Sequence, residues 1–139
     1  MSERLGRILI VDDEPDVLAV LTAFFSEGGR YEIMTAQQGA DAVMIARRHR
    51  PDAVLLDIFM PKSGMDGVEA LRAIRALDSS IAVVMVTANA NESVGRDTLR
   101  IGAFDYVPKP FDFEVLDRIV TAAAAAGADC ASSPRSAIV

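Results

Sequence analysis

The stretch "ILIVDDEPDVL", residues 8–18, places four branched apolar residues directly before three carboxylates. A short run that is apolar throughout indicates a parallel strand covered on both faces. Pro15 suits the first position of a following helix, because its fixed φ matches helical backbone. Asp12, Asp13 and Glu14 therefore fall at the carboxyl end of a buried strand, where like charges repel one another. Such crowding predicts a cation at this point of the chain.

The rest of the chain repeats the alternation of strand and helix. Short runs rich in β-branched residues predict strands at 7–11, 31–36, 52–56, 81–86 and 105–107. Helical periodicity predicts helices at 14–28, 38–49, 65–76, 91–101 and 111–126. Right-handed crossovers place such helices on both faces of the sheet. We therefore predict an α/β fold, a three-layer sandwich around a five-stranded parallel sheet of order 2-1-3-4-5, with the more alternating strand 2 at an edge.

Composition and patterning exclude several functional classes. The 139 residues are 51% hydrophobic and 24% charged, which is typical of an ordered globular domain. A net charge of -6 argues against direct nucleic-acid binding and favours cations or basic partners. No apolar run reaches membrane-spanning length, residues 1–7 do not resemble a signal peptide, and the single Cys130 cannot form an internal disulfide. We therefore expect a cytoplasmic protein without direct membrane contact.

We expect one domain at residues 1–126 and a flexible tail at residues 127–139, because "GADCASSPRSAIV" has no periodicity. No internal repeat and no DNA-binding or enzymatic output domain is visible within the sequence.

Polar residues follow four of the predicted strands. Asp12 and Asp13 follow strand 1, Asp57 follows strand 3, Thr87 follows strand 4 and Lys109 follows strand 5. Ligands of such sheets bind beyond the carboxyl ends of the strands, so we expect these side chains to converge. Carboxylate oxygens suit Mg²⁺, which keeps several waters and accepts phosphate oxygens. A carboxylate beside such an ion can attack a phosphoryl group and form an aspartyl phosphate, while a lysine and a hydroxyl stabilise the phosphoryl oxygens.

In their order and spacing, four stretches of the chain closely resemble the receiver domain of two-component response regulators: "ILIVDDEP", "VLLDIFMP" with "GMDG", "VMVTA" and "GAFDYVPKPF". The resemblance covers residues 7 to 126 and implies a flavodoxin-like fold. It also implies a signalling domain that catalyses only its own phosphorylation and dephosphorylation. The phosphoryl donor would be the phosphohistidine of a sensor histidine kinase or of a histidine phosphotransfer protein.

The resemblance implies a chemical role for each matching residue. Asp57 matches the phosphoacceptor, and Asp12 and Asp13 match the acidic pair that holds Mg²⁺ together with Asp57. The backbone carbonyl of Phe59 matches a further metal ligand. Lys109 matches the lysine that stabilises charge on the phosphoryl group.

The resemblance also implies a switch that carries the signal. Thr87 matches the switch hydroxyl and Tyr106 the switch aromatic. The two would reshape the surface of helix 4, strand 5 and helix 5, which a downstream protein or a second copy reads. The Lys109-Pro110 peptide bond resembles one that the family usually holds cis.

Two features bear on partners and on the site's surroundings. The family's loop runs from Met-Pro directly to Gly-Met-Asp-Gly, whereas "MPKSGMDG" here inserts Lys62 and Ser63 beside the acceptor. Periodicity predicts that helix 1 buries one apolar stripe and leaves a second uncovered, and the resemblance implies that the partner kinase docks on this second stripe. The predicted buried stripe is Val17, Val20, Leu21 and Phe24, and the predicted exposed stripe is Leu18, Thr22 and Phe25.

Other interpretations of these residues remain open from the sequence. Asp12, Asp13 or Thr87 can cap a helix, Asp57 can be a turn residue and Lys109 a solvated charge. Tyr106 can be an ordinary strand aromatic. A metal-dependent phosphatase that works through an aspartyl phosphate is an alternative function, although its second acid and substrate cap are absent. A flavin carrier is weaker still, because no Gly-rich phosphate loop follows strand 1.

Overall fold

Strands and helices alternate along the chain in the computed structural model, which describes residues 6–88 and 92–131, except for the side chains at 88, 92 and 129–131. The strands are β1 (Gly6–Val11), β2 (Tyr31–Ala36), β3 (Ala53–Asp57), β4 (Ala82–Ala88) and β5 (Asp105–Lys109). The α-helices are α1 (Pro15–Ser26), α2 (Gly39–His49), α3 (Gly67–Leu77), α4 (Glu92–Ile101) and α5 (Phe113–Ala131). None of the helices within these ranges is long and apolar enough to cross a membrane.

The five strands form one parallel sheet in the order β2-β1-β3-β4-β5. This confirms the predicted order and the edge position of strand 2. Val11 pairs with Leu56 across β1 and β3, and Asp57 pairs with Val86 across β3 and β4. The carboxyl ends of the three central strands therefore lie level with one another. The strand order reverses between β1 and β3, which opens a crevice at that edge.

The sheet is covered on both faces, so the predicted three-layer sandwich is confirmed. Alternate residues of β1 point to opposite faces, because the side-chain period of a strand is two. Leu9 and Val11 belong to a core shared with α2 and α3, against which α4 also packs. Ile8 and Ile10 belong to a second core shared with α1 and α5.

Helix α1 is rotated relative to the prediction. Leu18, Leu21 and Phe25 are buried in it, whereas Val20 is 55% exposed. The predicted buried stripe was therefore wrong at Val20, and the predicted exposed docking stripe was wrong at Leu18 and Phe25. The helix is apolar over most of its circumference, so periodicity alone admits both stripes. Packing against the sheet decides between them, because the Phe25 ring lies edge-on to Tyr31 with ring centroids 6.3 Å apart.

Helix α5 continues past its predicted end at residue 126 to Ala131. Gly127 is buried, and a Cβ atom there would overlap the backbone of Asp52. The alanines 122–126 favour helix, and the missing side chain at 127 lets the helix lie directly on the loop before β3. Residues 127–131 therefore belong to α5, while residues 132–139 of the predicted tail lie outside the described part of the chain.

Candidate functional site

Three buried carboxylates lie at the carboxyl ends of β1 and β3. Asp12, Asp13 and Asp57 are only 2%, 6% and 5% exposed. A carboxylate oxygen of each lies within 4.8 Å of one from each of the others. Asp57 is the last residue of β3, and the acidic pair follows β1 directly, so the pairing of the two strands brings the groups together.

The charge of this cluster is only partly balanced. Lys109, at the end of β5, places its Nζ 3.1 Å from Asp57 Oδ2 and 3.3 Å from Asp12 Oδ2. Burial and the charge of Asp12 raise the pKa of Asp57 to about 6, although Lys109 and the Phe59 N–H oppose the rise. Burial alone would lower the pKa of Lys109, but the charges of Asp57 and Asp12 outweigh it and raise that pKa. Fully ionised, the cluster carries three negative charges near one positive charge, and oxygen ligands in such an excess suit a hard divalent cation.

Backbone N–H groups of the adjoining loops orient all three carboxylates. The bonds run from Glu14 to Asp12 Oδ1 (2.9 Å), from Lys62 to Asp13 Oδ2 (3.0 Å) and from Phe59 to Asp57 Oδ1 (3.2 Å). Neither member of the acidic pair caps α1, whose N-cap position is occupied by Glu14. Each carboxylate is thus held in place by its own strand end and by a loop, a support that metal ligands in proteins commonly have.

Thr87 lies near the carboxyl end of β4, and Tyr106 lies on the neighbouring strand β5. Thr87 is 2% exposed and follows Val86, the residue that pairs with Asp57. Tyr106 is half-buried, and its ring lies against Gly95 of α4, where a Cβ atom would stand 2.6 Å from the ring carbon Cδ2. The ring therefore contacts the α4 backbone directly, which links β5 to the face of α4.

Phe59 and the Lys109-Pro110 bond complete the predicted set. Phe59 is 67% exposed, although its backbone N–H donates to Asp57 Oδ1. The peptide bond between Lys109 and Pro110 is cis, as expected from the resemblance.

An apolar surface between α1 and the start of α5 was not predicted from the sequence. The Phe24 ring of α1 packs on that of Phe113 at the start of α5, with centroids 4.9 Å apart, and Phe111 lies 6.2 Å from Phe113. Val20 and Phe113 are 55% and 37% exposed. We call these four residues the α1/α5 apolar surface. The sequence did indicate this surface through the second apolar stripe of helix 1, but the prediction assigned that stripe to the wrong residues.

The sequence of this chain is similar to those of several known proteins. A sequence model of the response regulator receiver domain matches residues 8–121. Protein PilH of Pseudomonas aeruginosa is 40% identical over 120 residues, which are 85% of this chain and 97% of PilH. Sporulation initiation phosphotransferase F of Bacillus subtilis is 36% identical over 108 residues, covering 78% of this chain and 85% of that protein. Regulatory protein AtoC of Escherichia coli is 42% identical over 84% of this chain, which spans only 24% of AtoC.

Solved structures show the same fold. A putative response regulator from Chloroflexus aurantiacus superposes with a TM-score of 0.78 at 30% identity, over 86% of this chain and 98% of that one. The receiver domain of NtrX from Brucella abortus superposes with a TM-score of 0.74 at 31% identity, over 81% of this chain and 97% of that domain. The sequence match, the shared fold and the acidic edge of the sheet agree, and the chain belongs to the family of response regulator receiver domains.

Proposed function

We propose that this receiver domain accepts a phosphoryl group on Asp57 from the phosphohistidine of a sensor histidine kinase or a histidine phosphotransfer protein. The observation that supports this most strongly is the contact of Lys109 with both Asp57 and Asp12, inside a buried cluster of three carboxylates. A lysine placed in this way can stabilise a phosphoryl oxygen as soon as one arrives. The phosphotransferase name of the Bacillus subtilis relative is consistent with this chemistry.

In the proposed reaction an Asp57 carboxylate oxygen attacks the phosphorus of the donor. A P–O bond forms, the P–N bond breaks, and its electron pair stays with the histidine nitrogen. Asp12, Asp13, Asp57 and the Phe59 carbonyl would hold Mg²⁺, which when bound neutralises charge on the carboxylates and on the phosphoryl oxygens. Hydrolysis of the resulting acyl phosphate regenerates Asp57. The domain thus catalyses only its own phosphorylation and dephosphorylation, and a metal-dependent phosphatase acting on other substrates is not favoured.

The proposed switch connects Asp57 to the surface of α4, β5 and α5. A phosphoryl group adds about two negative charges and strong acceptor oxygens, toward which the Thr87 hydroxyl can turn. Movement of Thr87 changes the space beside β5, where Tyr106 is already in contact with Gly95 of α4. A downstream protein or a second copy of the chain would read the altered surface. The signal is a shift between two packings of the domain.

The α1/α5 apolar surface is the proposed docking site of the phosphoryl donor. Phe111 follows Lys109 by two residues and lies against Phe113, on which Phe24 of α1 packs, so the surface extends from the end of β5 onto α1. Exposed aromatic and branched residues of this kind are typical of protein–protein contacts. The net charge of -6 is not that of a nucleic-acid-binding surface, and no direct contact with nucleic acid or membrane is proposed. We place the signalling event in the cytoplasm.

Replacement of the acceptor tests the proposal directly. Incubation of the wild-type protein with Mg²⁺ and a small acyl phosphate should add one phosphoryl group, detected by intact-mass spectrometry. Asp57→Asn should abolish the added mass, because the amide is not a nucleophile of comparable strength. Asp41→Asn, at an exposed position of α2, is the matched control and should be labelled normally. Labelling that persists in Asp57→Asn would exclude Asp57 as the acceptor.

The raised pKa of Asp57 predicts a specific pH dependence of stability without metal. Its pKa is about 6 in the fold against an ordinary value of 3.8, so the native state holds this proton more tightly than the unfolded chain. The free energy of unfolding should therefore fall as pH rises from about 4 to 6, and the loss should persist at higher pH. Asp57→Asn should remove the loss and stabilise the metal-free protein at pH 7.5 by roughly 1–3 kcal/mol.

Urea denaturation at pH 4.5 and 7.5, with and without Mg²⁺, measures this effect. Mg²⁺ should stabilise the wild-type protein more than Asp57→Asn, while Asp41→Asn should follow the wild type throughout. Equal stability of wild type and Asp57→Asn at pH 7.5 in the absence of metal would contradict the electrostatic description of the cluster.

The docking proposal is tested by charge on α1. Val20→Asp should slow phosphoryl transfer from a phosphorylated histidine phosphotransfer protein about tenfold or more, because it places a carboxylate on the apolar surface. Its labelling by a small acyl phosphate should stay near the wild-type rate. Ala19→Asp adds the same charge to an exposed position on the flank of α1 away from Phe24, and should change neither rate. Slowing of both reactions in Val20→Asp would show damage to the site or the fold.

The switch is tested with Thr87→Ala. This variant should still accept phosphate at Asp57 but should lose most of the chemical-shift changes at Tyr106 and α4. Backbone NMR with and without beryllium fluoride, which mimics the phosphoryl group, makes the comparison. Thr22→Ala, a half-buried hydroxyl on α1, is the control and should respond like the wild type. Unchanged shifts in Thr87→Ala would rule out the coupling from Thr87 to Tyr106.

A further inference from the structure

The inserted residues Lys62 and Ser63 join the β3–α3 loop to two other parts of the molecule. The Lys62 backbone N–H donates to Asp13 Oδ2 at 3.0 Å. The Ser63 hydroxyl accepts a hydrogen bond from the Gly39 N–H at 2.9 Å and donates to the Met65 carbonyl at 2.6 Å. Ser63 thus bridges its own loop and the start of α2, while its neighbour contacts the acidic pair.

The bond to Gly39 supplies a cap that α2 lacks locally. The first N–H groups of a helix have no partner within the helix. The side chain of Gln38, the N-cap residue of α2, does not cap the helix. The Ser63 hydroxyl instead accepts a hydrogen bond from the Gly39 N–H. The contact is close, because a Cβ atom at Gly39 would stand 2.7 Å from the Met65 carbonyl oxygen. The loop therefore packs directly against the N-terminal end of α2.

From these contacts we propose that Ser63 is a positioning residue for Asp13 as a metal ligand. Its hydroxyl anchors the loop to α2, and the anchored loop holds the Lys62 N–H against the Asp13 carboxylate. That hydrogen bond orients the carboxylate and leaves its second oxygen, together with the remaining lone pair of Oδ2, for a divalent cation. This inference rests on the proposed function, because it takes Asp13 to be a ligand of Mg²⁺.

The direction and size of the effect follow from the geometry. Asp13 is 6% exposed, so water cannot readily replace a lost Lys62 N–H. Removal of a group that supports a metal ligand typically lowers metal affinity about 10- to 100-fold. Ser63 supports Asp13 only indirectly, through the Lys62 N–H. We therefore expect Ser63→Ala to lower the Mg²⁺ affinity by about three- to tenfold, less than the loss of a direct support.

The test measures the Mg²⁺ dissociation constant by isothermal titration calorimetry, with MgCl₂ as the titrant and no phosphoryl donor. Ser63→Ala should weaken binding, and Ser63→Thr, which keeps the hydroxyl, should restore it. Ser93→Ala removes an exposed hydroxyl on α4 and should bind like the wild type. Gly39→Ala should weaken binding from the α2 side, because its methyl group would displace the Met65 carbonyl. Hydrogen exchange of the Lys62 and Gly39 amides without metal should be faster in Ser63→Ala.

Each outcome bears on one of the two proposals. Absence of Mg²⁺ binding by the wild type at millimolar metal would overturn the metal site of the proposed function. Normal Mg²⁺ binding by Ser63→Ala, beside a wild type that binds, would overturn only the positioning role of Ser63. Failure of Ser63→Thr to restore affinity would also overturn that role, because the hydroxyl would then not be responsible.

Discussion

The rest of the site depends on the repulsion among three buried carboxylates, two of which contact the same lysine. Asp12, Asp13 and Asp57 are almost fully removed from water, and the Lys109 side chain contacts Asp12 and Asp57. The cost appears in the raised pKa of Asp57, which is due first to burial of the carboxylate and then to the charge of Asp12. Costs of this kind are concentrated at functional sites, and here the excess negative charge would attract a divalent cation, which together with Lys109 would offset the charge of a phosphoryl group.

The sheet maintains this unfavourable proximity because each carboxylate is attached to a strand that cannot move independently. The strands carrying the acids are adjacent and central, and their side chains are packed into cores on both faces. Moving the two strand ends apart would require breaking strand pairing or opening one of those closely packed cores. Loops add the finer control, since one backbone N–H contacts each carboxylate.

The surroundings of the cluster divide the proposed functions among different elements. α1 and the start of α5 present aromatic residues on one side of the carboxylate edge. On the other side, Tyr106 contacts α4 where Gly95 has no side chain. In the loop that follows Asp57, the inserted Ser63 bonds the start of α2 and the inserted Lys62 bonds Asp13. The proposed donor docking, output and metal support would therefore act on one site from separate directions.

The sequence by itself determined the strand and helix order, the sheet order and the set of polar residues at the strand ends. These features depend on local periodicity and on the topological rules of parallel sheets, which one chain reveals without coordinates. The end of α5 could not be predicted from local sequence, because it depends on the packing of Gly127 against Asp52, which is far away in the chain.

Only the tertiary structure decided which stripe of α1 is buried and what Lys62 and Ser63 contact. α1 is apolar over most of its circumference, so both orientations satisfy the same pattern, and docking on β1 and β2 selects the one that buries Leu18 and Phe25. The bonds from the inserted loop to Asp13 and Gly39 span 49 and 24 residues. Contacts at such separations arise from the packing of whole elements, for which local sequence carries no signal.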